Sequence, residues 1–363
     1  MSLMRLICFL AAMGAILGAA VARAGGPTYT AVDLGSFGGR GGASALSNSG
    51  LVVGSSQTSA GLDHAFLWRN GTMRDLGLLN GLDASVATDV NSGGQVVGYA
   101  HDSLWSNVRG FLWKNGVMTD LGTLGGTYTV AVGINGPGQV IGTSKTSDQQ
   151  EHAFIWQHGV MTDLGTLGGG YAVPHAINQR GQVVGESTTA AGEEHAFLWQ
   201  NGVMTDLGET GFYSYANDVN ERGQIIGSFT AAAGDVAHCV IWTGAQQLDL
   251  GMLGGDCVPE DINERGQVVG FSNLGGYHSP QHAFVWRGST MVDLGARLDV
   301  NTYAIRINER GQIAGSQSFQ QAVAWQQDNT MVDLGPGSAG LINDRGEIAG
   351  NNGDHPVLWK PSP

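Results

Sequence analysis

The sequence predicts an all-β chain, a closed β-propeller of eight four-stranded blades, and three observations carry that reading. One phrase recurs: "VNERGQIIGSF" at 219–229 is nearly copied as "INERGQVVGFS" at 262–272. Its outline of Asn, two polar residues, Gly, an aliphatic run and Gly returns at 91–98, 135–142, 178–185, 308–315 and 343–350, and in weaker form at 47–54 with Ser47 in the Asn place. The spacing, roughly 43 residues, is that of a four-stranded blade. The two ends are complementary: the chain begins with the last segment of a repeat, "YTAVDLG" at 29–35, and finishes with the first three, through "HPVLW" at 355–359. An open stack would need polar caps instead, whereas matching fragments complete one shared blade and close a ring, with the last blade completed by the N-terminal strand.

Each element of the repeat has its own strand signal. A small-residue run leads to the Asn, and "NERG" then turns the chain, Asn bonding its own backbone and Gly taking the left-handed position. "QVVGES" follows, then "HAFLW" or a relative, ending at Trp68, Trp113, Trp156, Trp199, Trp242, Trp286, Trp325 and Trp359. "QNGVM" at 200–204 and "KNGVM" at 114–118 place Asn-Gly between apolar runs, the strongest short signal for a two-residue hairpin. The unit closes on "DLG", with Asp75, Asp120, Asp163, Asp206, Asp249, Asp293 and Asp333. No stretch after residue 24 shows a helical period.

Composition narrows the function classes. The 363 residues hold 17 Lys and Arg against 31 Asp and Glu, a formal charge of −14, which argues against nucleic acid or anionic lipid as partner. The 59 glycines fit many tight turns, since aromatics and aliphatics stand among them at regular places. Residues 1–24 read as a signal peptide: Arg5, an apolar run to about Ala20, and small residues at Ala22 and Ala24. Cys8 does not stand beside the cleavage point, which argues against a lipid-anchored form. The expectation is a secreted or periplasmic protein, a single propeller domain over 25–363, monomeric, with no membrane insertion after cleavage. Export permits disulfides, and Cys239 and Cys257 are the thiols left; they either bridge or stand as two small buried residues.

The unit "HAFLWxNGxMxDLGTLGG…IN..GQVVG" resembles the HAF repeat of bacterial exported proteins, named for its His-Ala-Phe. "HAF" is intact at 64–66, 152–154, 195–197 and 282–284, and departs at Arg109-Gly110-Phe111, His238-Cys239-Val240, Gln321-Ala322-Val323 and His355-Pro356-Val357. The resemblance covers nearly the whole chain after the leader. It implies an extracellular repeat protein and brings no established activity.

Candidate functional residues fall in three sets. His64, His152, His195, His238, His282 and His355 occupy one place per blade, too spread around a ring for zinc, whose ligands converge within about 2 Å of one point. They are expected to bond within their own blades, to the "DLG" Asp. Loops after "QVVG" and after "DLG" vary greatly and fall on one face, opposite the near-invariant turns; a varied face on a rigid scaffold is where binding is built. Tyr128, Tyr171 and Tyr213 share one repeat position there, seven residues before the inner Asn, and Trp105, Tyr215, Tyr277 and Tyr303 add aromatic surface. The third set lies on the strands nearest the axis: Asp89, Asp218, Asp261 and Arg306 two residues before the Asn, with His175, Asn217 and Glu260 beside them. These line a hydrated channel or, alternatively, hold Ca²⁺ on Asp89, Asp218 and Asp261; no other cofactor is expected. The leading function is a binding scaffold for an extracellular glycan, peptide or protein. The alternatives are a carbohydrate-active hydrolase or lyase using Glu260, Asp261, Asp218 and His175, and a self-associating surface or matrix component.

Overall fold

The computed structural model describes residues 28–208, 212–275, 279–296 and 298–362. The expected signal peptide and Tyr277 lie outside the described residues. Within them the chain is a β-propeller built of four-stranded antiparallel units, without an α-helix. One unit runs Gly168–Ile177, Val183–Thr189, Glu194–Gln200 and Val203–Asp206, each strand pairing with the next. Units of this kind follow one another from Gly38 to Pro336. The last three strands, Ser338–Ile342, Ile348–Asn352 and His355–Pro361, are joined by the N-terminal strand Tyr29–Asp33, which pairs antiparallel with His355–Pro361 in register Tyr29↔Pro361 to Asp33↔Val357.

The core lies between units rather than inside them, because each sheet is apolar on both faces. Val184 and Ala196 of one unit pack on Ala216, Ile225 and Trp242 of the next. The two ends of the chain obey the same rule: Leu34, Ala349 and Leu358 pack on Val52, Phe66 and Trp68. The Phe of "HAF" is fully buried wherever it occurs, as at Phe66, Phe154, Phe197 and Phe284. Each such ring contributes about 1.5–3 kcal/mol.

Two local devices shape every inner strand. The register slips between the fourth and second residues before the turn, as between Ala131 and Gly133 or Ala216 and Asp218, so one extra residue bulges toward the axis. Opposite the bulge stands the Gly of "QVVG". A Cβ on Gly142 would lie 2.0 Å from the Val130 carbonyl oxygen, so only glycine lets the strands approach. The Asn-Gly hairpins turn with positive φ at both positions, 52° at Asn201 and 84° at Gly202, as the sequence predicts.

The recurrent Asn does more than cap its own turn. Asn178 Oδ1 accepts from the backbone N–H of Arg180 and of Gln182, and its Nδ2 donates to Gln182 Oε1 (2.6 Å) and to the carbonyl oxygen of Asn220 (3.0 Å), its counterpart in the next unit. The same link runs from Asn91 to Asn135, Asn135 to Asn178, Asn220 to Asn263, Asn263 to Asn308, Asn308 to Asn343, and Asn343 to Ser47. Where Ser47 replaces Asn, Ser49 Oγ reaches across to the Ser92 carbonyl instead (3.2 Å). This belt explains both the Asn and the Gln four residues later.

Candidate functional site: the variable-loop face and the central channel

Five of the six recurrent histidines hold architecture; His355, also expected to bond a "DLG" Asp, is exposed and makes no such bond among the described residues. His64, His152, His195, His238 and His282 each place Nδ1 2.8–3.0 Å from the carboxylate of their own "DLG" Asp, which also accepts the N–H of the Gly two residues on. Arg109 takes the same part with Asp120 (2.9 Å), and Gln321 with Asp333. Among the described residues, no group of three or more His, Cys, Asp or Glu side chains converges as a metal site.

The inner strands surround a polar cavity of about 300 Å³, lined among others by Ser44, Thr88, Asp89, Gly133, His175 and Arg306. The bulged residues also bond sideways to the next unit: Thr88 Oγ1 donates to Ala131 O (2.9 Å), His175 Nδ1 to Ala216 O (2.8 Å), and Asn217 Nδ2 to Pro259 O (2.5 Å). The acids two residues before the Asn also bridge neighbours. Asp89 Oδ2 accepts the Ile134 N–H (2.8 Å), Asp261 Oδ2 the Ile307 N–H (2.6 Å), and Asp218 Oδ2, more weakly, the Ile262 N–H (3.4 Å).

Arg306 is exposed to the cavity that the inner strands line. Burial favours its neutral form, but Asp261, Asp218, Glu260 and Asp89 outweigh that and hold it charged. Burial pushes Asp261 well above the ordinary carboxylate range; Arg306 opposes this, and Asp218, which hydrogen-bonds it, adds to it. Burial likewise raises Glu260, against Arg306, and Asp89, against the Ile134 and Val90 N–H groups. Arg306 stands within electrostatic reach of Asp89, Asp218 and Asp261, and backbone donors use an oxygen of each of the three.

On the variable face the predicted aromatics divide. Tyr128 and Tyr171 stand where consecutive units touch: their backbones bridge to Val108 and Glu151 of the preceding units, and with that seam three units form one 12-stranded sheet. Burial, then Glu151 and Tyr99, pushes the Tyr128 hydroxyl up to about 12. Tyr171 donates its hydroxyl to Glu186 Oε1 (3.2 Å), and Tyr213 lies 5.9 Å from Tyr215. Tyr303 is a correction. Expected as surface, it is 4% exposed, covered by the stacked ring of Phe319 (4.1 Å), with its hydroxyl on Gln281 Oε1 (2.9 Å). The exposed ring there is Phe319, which the repeat alignment does not single out because it stands in a variable loop.

Trp105 is the most prominent of the set. It is 52% exposed, its neighbour Leu104 84%, and its ring stacks on His101 (3.6 Å) and approaches Tyr99 (6.1 Å). The loop is built to hold it there. Asp102 accepts the Ser106 N–H (2.8 Å) and hydroxyl (2.5 Å), Asp83 accepts the Ser103 N–H (2.8 Å), and the Asp102 carbonyl receives the Trp105 N–H (3.1 Å). Trp105 itself has φ of 56°, a conformation rare for a bulky residue and sustained by those bonds.

No protein-family model matches the chain, and no curated protein matches it in sequence. Solved structures do match, as a fold. A puromycin-hydrolyzing peptidase of Mycobacterium tuberculosis aligns with TM-score 0.51 and 12% identity over 82% of this chain and 54% of that one. A streptogramin B lyase aligns with TM-score 0.50 and 9% identity over 75% of this chain and 92% of that one. The β-propeller domain of the Trilobed protease of Pyrococcus furiosus gives TM-score 0.50 and 8% identity over 76% and 93%. The chain thus spans about half the length of the mycobacterial peptidase and nearly all of the other two. At these identities the shared property is the propeller fold.

Proposed function

We propose that this chain is an exported, closed eight-bladed propeller of the HAF-repeat kind that works as a binding scaffold through its variable-loop face. Three things support closure: the pairing of Tyr29–Asp33 with His355–Pro361, the packing of Leu34 and Leu358 on Phe66, and the Asn belt that returns from Asn343 to Ser47. Export rests on the leader-like residues 1–24, and among the described residues no helix is long and apolar enough to cross a membrane.

One observation carries the choice of face: a hydrogen-bonded loop displays Leu104 and Trp105 to solvent, an apolar exposure that costs free energy unless a partner covers it. The turn face, by contrast, spends its recurrent polar groups on blade-to-blade bonds such as Glu221 N–H to Glu264 Oε1 (2.7 Å). The test is a ligand screen on the mature chain, over glycans, peptides and proteins, followed by Trp105→Ala and Glu264→Ala. Trp105→Ala should weaken any hit by about tenfold, as for an aromatic anchor, with Glu264→Ala unchanged. A defect confined to Glu264→Ala would move the site to the turn face.

A second reading, a sugar hydrolase or lyase in the channel, is favoured by the hydrogen-bonded Asp218–Asp261 pair, in which burial raises the Asp261 carboxyl above the ordinary range. Turnover of a bound glycan, abolished by Asp261→Asn, would establish it.

A further inference from the structure

The variable face carries a continuous run of phenols and carboxylates. It starts at the Trp105 tip, 6.1 Å from Tyr99. The Tyr99 hydroxyl is raised by burial and by Asp63, and Tyr128 by burial and then by Glu151 and Tyr99, so these groups stand within electrostatic reach of one another. Glu151 pairs along the backbone with Tyr171, whose hydroxyl bonds Glu186. Glu194, half-exposed beyond it, is raised by burial and by Glu186.

Charge is segregated to match. Among the described lysines and arginines outside the channel, Arg40, Arg109 and Lys145 are those placed toward the variable face; Arg109 is tied to Asp120, and Lys145 stands opposite Glu151 on the paired strand and partly offsets its charge. The rest follow the invariant turns, where Arg180, Arg222, Arg265, Arg310 and Arg345 stand exposed at one repeat position. In a chain of charge −14, acids such as Asp63, Asp83, Asp102, Asp148 and Glu193 stand in or beside the loops of the face that also bears the exposed Leu104, Trp105 and Phe212.

Resting on the binding-face reading above, we infer that the partner of this face is a cationic polypeptide, a lysine- or arginine-rich segment whose side chains lie over Trp105, Tyr99 and Tyr128 and whose charges meet Glu151 and Glu186. The argument is charge complementarity joined to apolar display. An aromatic face attracts ammonium and guanidinium groups, and more so beside carboxylates that are partly desolvated. An acidic field over a whole face steers a cation to it and repels anionic peptides and lipids. A neutral glycan gains from the aromatic rings but nothing from the field.

Fluorescently labelled decalysine, titrated into the mature full chain at low and at 0.5 M salt, tests this, with decaglutamate, cellohexaose and phosphatidylcholine vesicles as the other probes. The expected result is binding of decalysine alone, weakened at least tenfold by salt, by Trp105→Ala and by the Glu151→Gln/Glu186→Gln pair, with Glu264→Ala unchanged. Folding of each variant is followed by its thermal midpoint, and the conservative Glu→Gln pair and the exposed Trp105 are chosen to leave it in place. If cellohexaose or vesicles bind through Trp105 and decalysine does not, the cationic class is wrong while the face reading stands. If decalysine binding is lost with Glu264→Ala and not with Trp105→Ala, the face reading falls and takes this inference with it. Indifference of decalysine to every variant, or equal binding of decaglutamate, also overturns the proposal.

Discussion

A single Asn side chain makes four hydrogen bonds at the turn, and this is why the residue recurs while its neighbours drift. In Asn178→Ala the Asn220 carbonyl, the Gln182 amide and two backbone N–H groups all lose a partner in a buried place. The expected loss is about 2–4 kcal/mol, given the cost of unmatched buried polar groups. Asn178→Ser should lose less, because Ser47 Oγ still accepts the N–H four residues on, at Leu51 (3.1 Å). Urea denaturation of the two variants orders them; equal losses would mean that the turn bond kept by Ser contributes nothing. The channel acids make a second prediction at this scale. Asp261 has a folded-state pKa raised above its unfolded value, so its contribution is fully present below the unfolded carboxylate range and is lost as pH rises through the raised value. The stability of the parent should therefore fall relative to Asp261→Asn as pH rises above about 4. Parallel stability curves for parent and variant between acid and neutral pH would contradict it.

At the scale of the element, the third strand of several units is fastened to the next unit through one position. In several units the Ala N–H of the third strand donates to a hydroxyl on the next inner strand: Ala65 to Ser85, Ala196 to Ser214, Ala283 to Thr302, each at 2.9 Å. Cys239 and Cys257 occupy these two places in their units and are joined by a disulfide across a separation of 18 residues. A covalent link replaces a hydrogen bond at one blade junction. Cys239→Ala with Cys257→Ser restores the pattern of the other units, and should lower stability by about 3 kcal/mol for a loop of this length; an unchanged urea midpoint would show that the junction is held without the bridge. The strand plan was legible in the sequence, because period-2 runs, Asn-Gly turns and "NERG" turns mark all four strands of a unit. The inner-strand bulge was not, since it leaves no residue-type signature except the Gly it demands on the neighbouring strand. The bulge is also why the side chains of His175 and Asn217 bond across to neighbouring backbones, a direction that repeat spacing does not encode.

For the whole molecule, the repeat assigns each residue to a face, and the two faces differ in kind. Near-invariant turns carry the blade-to-blade belt, while the loops free to vary carry the displayed Leu104 and Trp105 and acids such as Asp102 and Asp148. Repetition made the predicted aromatic row readable at Tyr128 and Tyr171, and hid Phe319, which belongs to no repeat position. The proposed closure of the ring rests on the strand Tyr29–Asp33, which pairs with His355–Pro361. The direct measurement is therefore the thermal unfolding of the mature chain lacking residues 25–36. Without that strand the edge of His355–Pro361 is left unpaired, a liability for aggregation. Loss of the single cooperative transition and of the monomer is expected, both restored by adding a peptide of residues 28–36. A truncated chain that stays monomeric and melts at the midpoint of the mature protein would contradict closure.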